Sequence, residues 1–364
     1  MRKILITGGA GFIGSNFTNF WHLHYPDDDL IVLDALTYAG NISSINELIE
    51  QKKITFIRGD ICDQVLMTQT FKDHSIDTVV HFAAESHVDR SIAAPDDFMQ
   101  TNILGTHALL AAAREVWQSD LSDKLFHHIS TDEVYGDLGP DDPAFTEVTP
   151  YAPRSPYAAS KASSDHLVRS YNITYGLPTT ITNCSNNYGP LQFPEKLIPL
   201  MITNALDGKP LPVYGAGENV RDWLFVEDHC RAIAAVIEKG QAGETYNVGG
   251  DNELVNIDLV RTLCRLVDEK ISQNPDLKQQ FPKCAIANGL TSESLIQFVK
   301  DRPGHDRRYA INGEKISNEL NFRPSADFTS GLSRTVDWYL EHEEWWRAVQ
   351  SGEHLRWVEQ HYGK

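Results

Sequence analysis

Residues 3–14, KILITGGAGFIG, carry an apolar, β-branched run straight into a glycine turn and then into a helical pattern. Gly8, Gly11 and Gly14 recur every third residue, with Phe12 and Ile13 between the last two. This spacing differs from the commoner G-x-G-x-x-G, but the physical demand is the same. The chain must turn tightly, its backbone must approach a pyrophosphate closely, and a helix must pack close to a strand with its free N–H groups facing the phosphates. A strand, turn and helix in that order predict the first unit of a Rossmann-type, doubly wound α/β fold. Gly8, Gly11, Phe12, Ile13 and Gly14 are therefore assigned to a dinucleotide.

The next segments extend this reading. LIVLD (30–34), ITFIRGD (54–60), TVVHFAA (78–84), LFHHIST (125–131) and TTITNCS (179–185) are short apolar runs separated by stretches long enough for helices. That alternation predicts βαβ units and a parallel sheet covered on both faces. Asp34 closes the second run twenty residues after Gly14. A carboxylate there suits a free ribose 2′-hydroxyl and would repel a 2′-phosphate, so NAD is favoured over NADP. Ala35, Leu36 and Thr37 continue the same turn. Asp60 and Ile61 follow the third run, where an acid can accept from the adenine amine. Phe82, Ala83, Ala84 and Ser86 close the fourth with residues small enough to let a cofactor lie near, and Thr101 completes the set.

Bulk properties limit what else the protein can do. With 50 acidic and 32 basic residues among 364, the net charge of −18 opposes binding to nucleic acid or an anionic membrane. Composition, at 41% hydrophobic and 23% charged, is that of a folded chain. The five cysteines are scattered and form no C-x-x-C pair, so neither a disulfide framework nor a metal site is expected. The N-terminus enters a strand at once and no apolar run reaches membrane-spanning length, which predicts a cytoplasmic protein. The expected division is a cofactor domain of residues 1–185 plus about 212–250, and a smaller ligand domain of 186–211 and 251–364. The last part is helical and tryptophan-rich, ending in WYLEHEEWWRAVQ (338–350).

Chemistry concentrates in two stretches. In RSPYAASK (154–161), Ser155 and Pro156 read as a helix start, so Tyr157 and Lys161, four apart, share one face. A phenol titrates near ~10, so Tyr157 serves as a base near neutrality only if positive charge stabilises its anion. Lys161 and an oxidised nicotinamide would supply that charge. In STDEVYG (130–136), a strand runs into a hydroxyl and two carboxylates, Thr131, Asp132 and Glu133. Neighbours on a strand point to opposite faces, so both acids reach one ligand only if the strand ends by about Thr131.

These stretches, with AAESHVDRS (83–91), NNYGP (186–190) and RDWLFVEDH (221–229), resemble the extended short-chain dehydrogenase/reductase family over nearly the whole chain. The Thr-Asp-Glu triplet and DRPGHDRRYAI (301–311) resemble its dTDP-glucose 4,6-dehydratase branch. That resemblance implies an NAD-dependent lyase acting on dTDP-glucose in deoxysugar synthesis such as that of rhamnose, and a homodimer. It implies Tyr157 as base at the sugar 4-hydroxyl beside Thr131 and Lys161, Glu133 as base at C5, and protonated Asp132 as acid at C6. It further implies Ser86, Thr131, Asn186, Lys196, Leu197, Pro212, Val213 and Tyr214 along the sugar and base. Arg221, Asn256, Asp301, Arg302 and His305 would hold the diphosphate side, and Asn187 the nicotinamide. His87 and Arg90 read as structural or interfacial. A 4-epimerase, a dehydratase of another nucleotide or a decarboxylase shares most of these features, and a non-catalytic dinucleotide-binding protein shares the glycine turn.

Overall fold

The six apolar runs of the first half are all strands, and all pair in parallel. They are β1 (Lys3–Thr7), β2 (Asp29–Asp34), β3 (Ile54–Arg58), β4 (Thr78–His81), β5 (Leu125–Thr131) and β6 (Thr179–Cys184). Six more follow: β7 (Asn186–Tyr188), β8 (Leu211–Tyr214), β9 (Val220–Phe225), β10 (Thr245–Val248), β11 (Glu253–Val255) and β12 (Ile296–Val299). The computed structural model describes residues 1–301 and 304–352.

The central sheet has the order β10-β6-β5-β4-β1-β2-β3. From β1 the chain builds outward through β2 and β3, then returns to β4 and builds the other way. The direction therefore reverses between β1 and β4, and the crevice beyond their carboxyl ends is where a parallel sheet of this kind binds ligands. Alternate side chains supply opposite faces, which explains the unbroken apolar runs. Ile4, Ile6, Val32 and Val80 pack on one face with Phe17, Trp21 and Ile233. Leu5, Ile31, Leu33 and Val79 pack on the other with Phe71, Leu109, Trp117 and Val168.

A separate core gathers Ile198, Met201, Ile202, Leu211, Val213, Trp223, Phe225, Leu259, Leu263, Tyr339 and Trp346. The sequence pattern places residues from about 212 with the central sheet, but only β10 joins it. β8 pairs with β12, and β9 lies between β7 and β11. The inward side chains of β9, Trp223 and Phe225, find their apolar partners in this second core, so the strand follows them there. The helix after β9, Val226–Lys239, returns to the central sheet with Cys230, Ile233 and Ile237. Among the described residues no helix is long and apolar enough to cross a membrane.

Candidate active site

The glycine turn explains itself in atomic terms. Gly8 has φ +70, and a Cβ there would stand 2.6 Å from the Ala83 backbone nitrogen. A Cβ on Gly14 would stand 2.2 Å from the Gly8 carbonyl oxygen. Only hydrogen fits at both places, so helix Phe12–His24 begins against β1 with Gly11 as an N-cap that offers no side chain to its free N–H groups. Those donors face the crevice, as a pyrophosphate needs.

Asp34 lies at the end of β2 and is pinned by two backbone donors. Ala10 N–H gives to Oδ2 at 2.9 Å and Leu36 N–H to Oδ1 at 2.8 Å. Burial nevertheless raises its carboxyl above the ordinary range, the two N–H bonds offsetting part of that. The turn puts Leu36 at φ 54 and sends its side chain into the core instead of the crevice, a departure from the expectation for that residue.

A cavity of about 340 Å³ runs from this turn along the carboxyl ends of the central strands. It is lined by Gly8, Gly11, Phe12, Ile13, Gly14, Asp34, Ala35, Thr37, Asp60, Ile61, Phe82, Ala83, Ala84, Ser86, Thr101 and Asn187. Thr131, Glu133, Tyr157, Lys161, Asn186 and Lys196 face the same space. The sequence did not single out Tyr38, Cys184, Ser185, Gln192 or Phe193, which also line it. Cys184 and Ser185 directly follow β6 and could have been found as a parallel strand's carboxyl end. The other three are brought in by loops, and nothing local marks them. His87 and Arg90 stand at the rim. The Arg90 guanidinium lies 3.6 Å over the Tyr38 ring, and His87 Nε2 is 3.8 Å from Glu195, which ties the loop after β4 to the loop before Lys196.

β5 ends at Thr131, as the two acids require, and residues Asp132–Tyr135 turn at once into a 3-10 helix. Thr131 Oγ1 accepts from the Glu133 N–H at 3.3 Å and donates to Asp132 Oδ1 at 3.3 Å. Glu133 faces the cavity, while Asp132 is 1% exposed and packs behind it. Burial, then the charges of Glu133 and Asp222, push the Asp132 carboxyl well above the ordinary range despite Arg221. Two adjacent carboxyl groups thus occupy different environments, and burial favours the neutral form of Asp132.

Helix Pro156–Tyr175 starts as its sequence predicts, with Ser155 accepting from the Ala158 N–H. Tyr157 and Lys161 both reach the cavity from its first turns. Burial and the nearby Glu133 and Cys184 raise the Tyr157 phenol well above its usual value, while the Thr131 hydroxyl opposes this. Lys161 Nζ donates to the Ile129 carbonyl at 2.7 Å. Burial pushes it down to about 8, against the pull of Asp165 and Cys184.

The remaining residues expected at a nucleotide sugar form a second group. His305 Nδ1 is 2.7 Å from Asp301 Oδ1, and its ring meets the Tyr214 ring edge-on at 5.9 Å. Asp301 and His305 line a hollow of about 190 Å³ with Asn219 and Arg307. Arg221 is 5% exposed; its guanidinium donates to the Asp306 carbonyl at 2.9 Å and lies over the Tyr309 ring at 4.3 Å. Asn256 opens helix Asn256–Gln273 with Oδ1 buried and lacking a hydrogen-bond partner among the described residues. Leu197 opens helix Leu197–Leu206 and packs on the second core. Val213 points into that core, opposite in sense to its neighbours Pro212 and Tyr214, which corrects its expected place on the ligand. Arg302 lies outside the described residues.

The comparisons agree with this geometry. The model of the GDP-mannose 4,6 dehydratase family matches residues 5–335. The dTDP-glucose 4,6-dehydratase of Neisseria meningitidis serogroup B is 55% identical over 357 residues, covering 97% of each chain. Among solved structures, the dTDP-glucose 4,6-dehydratase of Streptomyces venezuelae, with NAD and dTDP bound, is 46% identical with TM-score 0.83, covering 96% of this chain and 100% of its own. That of Bacillus anthracis, in complex with NAD, is 44% identical with TM-score 0.82 over the same shares. With its glycine turn, Glu133 and tyrosine–lysine helix face all lining one cavity and Asp132 buried behind Glu133, the chain belongs to the dTDP-glucose 4,6-dehydratases of the GDP-mannose 4,6 dehydratase family.

Proposed function

We propose that the protein converts dTDP-glucose to dTDP-4-keto-6-deoxyglucose with loss of water. The observation that carries this reading is the placement of Glu133 on the cavity that Tyr157 and Lys161 also line, with Asp132 behind it and its carboxyl pushed well above the ordinary range by burial. The Gly8–Gly14 cradle, the uncapped helix start and Asp34 suit NAD. When bound, NAD supplies a hydride acceptor at C4 and a donor at C6.

The protein's own groups then move protons. Tyr157 takes the proton of the sugar 4-hydroxyl, its anion stabilised by the Lys161 ammonium, while Thr131 holds the 4-oxygen. The resulting ketone makes the C5 hydrogen acidic, and Glu133 removes it. Asp132 gives its proton to the departing 6-hydroxyl, which leaves as water, and Glu133 returns a proton to C5. Each turnover therefore leaves Tyr157 with one proton more and Asp132 with one fewer, and exchange with solvent resets both. Cost and benefit agree: hydroxide is a poor leaving group, so an acid held neutral by its site is what the elimination needs.

On the nucleotide side, Arg221, Asn256, Arg302 and His305 hold the diphosphate, and Tyr214 with Pro212 lies along the base. Residues 1–185 with the helix and strand returning before 250 form the cofactor unit, and the second core defines the nucleotide-sugar unit. The protein works in the cytoplasm as a homodimer; exposed Ile173 and Tyr175 on helix Pro156–Tyr175 support an apolar contact there. Sedimentation equilibrium giving a monomer mass would refute the dimer. For the reaction, mass spectrometry of products from dTDP-glucose and UDP-glucose in parallel should show loss of one water from the first. A product of unchanged mass would mark an epimerase and overturn the reading.

A further inference from the structure

Behind the Tyr157–Lys161 face lies a sealed polar cluster that the mechanism above leaves unused. Asp165, one helical turn beyond Lys161, has a side chain with no solvent exposure. Its Oδ2 accepts from Ser130 Oγ at 2.9 Å and from the Tyr151 hydroxyl at 2.8 Å. Arg169 in turn donates to the Tyr151 hydroxyl at 2.7 Å. The His128 ring stands between carboxylate and ammonium, its Nε2 3.3 Å from Asp165 Oδ1 and 3.4 Å from Lys161 Nζ.

The groups facing Lys161 come from every element packed on it: Tyr157 and Asp165 from its own helix, His128 from β5, His81 from β4 and Cys184 from β6. Burial keeps His128 down at about 4 and His81 well below its usual value, and it pushes the Cys184 thiol up to about 12. None of these three is charged near neutrality. Burial would raise Asp165 too, but His128, Lys161 and Ser130 outweigh it and hold it below the ordinary carboxylate range. Facing Asp165 beyond these are Tyr151, Tyr135 and Arg169.

A buried ammonium with no counter-charge gives up its proton. We infer that Asp165, clamped by Ser130, Tyr151 and His128, is a positioning residue that keeps Lys161 in its ammonium form beneath Tyr157. It touches neither sugar nor cofactor and acts only through Lys161. The inference rests on the roles given to Tyr157 and Lys161 above.

The test is Asp165→Asn in the NAD-loaded enzyme, which keeps the shape and can still accept from Ser130 and Tyr151. The alkaline limb of the kcat profile should move to lower pH by roughly 1–3 units, the range an opposite charge commands. KM and bound NAD should stay near parent values, and Asp165→Glu should bring the limb part of the way back. A second readout needs no turnover: the ¹⁵N resonance of Lys161 Nζ, assigned by its loss in Lys161→Met, should titrate at correspondingly lower pH in Asp165→Asn. A variant that is folded and NAD-loaded yet shows both midpoints unmoved, or a kcat lowered equally at every pH, overturns the inference. If Asp165→Asn does not fold, the parent Nζ decides: a midpoint below 7 overturns it, and one at about 8 or above sustains it. Should the Tyr157 assignment itself be wrong, Tyr157→Phe would oxidise the sugar normally while the Nζ midpoint still fell, so the two failures are distinguishable.

Discussion

The two sides of the active cavity are built differently. On one side, Tyr157 and Lys161 stand four residues apart on a helix, and the helix period alone puts them on one face. On the other, Asp132 and Glu133 are adjacent, and they meet different surroundings only because β5 stops at Thr131 and a 3-10 turn sends one acid inward and the other to the cavity. The helix side depends on local spacing. The strand-end side depends on where a strand terminates and on what packs behind it, so its chemistry is set by burial.

Four substitutions can break or sharpen that contrast. Tyr157→Phe should have the largest effect, cutting turnover by ~10⁴, the upper range for loss of a general base, with NAD still bound. Stopped-flow absorbance of reduced cofactor should stay flat in this variant; near-parental oxidation would remove the helix side from the mechanism.

Next come the acids. Asp132→Asn and Glu133→Gln should each lower turnover by roughly 10²–10⁴, yet the initial oxidation should survive, so reduced cofactor should appear on the enzyme and persist. Glu133→Gln should also stop exchange of the C5 hydrogen with deuterated solvent, whereas Asp132→Asn should still exchange it. If both variants lost the oxidation as fully as Tyr157→Phe, the two sides would not be separable.

Lys161→Ala should cost about 10² in turnover, because the phenol loses the charge that favours its anion. In the parent enzyme activity should fall as pH rises past about 8, where Lys161 releases its proton. A flat profile to pH 10 in a stable enzyme would exclude Lys161 as the controlling group.

The smallest expected effect is on stability. Asp132 is held well above its unfolded value, so folding retains a proton that the unfolded chain gives up near pH ~4. Its burial therefore costs nothing below that pH and an increasing amount above it. Asp132→Asn should stabilise the fold at neutral pH by on the order of 1 kcal/mol, and the gain should vanish toward pH ~4. Urea unfolding at both pH values checks this, and a gain that grows on acidification would contradict the assignment.

Much of the sheet was open to reading because parallel strands buried on both faces must be continuously apolar, so β1 to β6 announce themselves. The glycine turn was open in part for a related reason: Gly14 is required by the Gly8 carbonyl only six residues back, whereas the need for Gly8 comes from Phe82 and Ala83 after β4 and shows only in the folded chain. β8 and β9 were harder. Their residues suit any strand, and Trp223 and Phe225 reveal their allegiance only by the core they enter.

By itself the sequence determined the parallel sheet, the dinucleotide turn with Asp34, and the Tyr157–Lys161 face, because each follows from a period or a steric rule that acts locally. The tertiary structure alone decided which carboxyl is pushed toward its neutral form, which strands leave the central sheet, and that Asp165 and His128 lie beneath Lys161. Desolvation is the physical reason. The free energy of a charge depends on everything packed around it, and those neighbours come from β4, β5, β6 and a helix far apart in the chain.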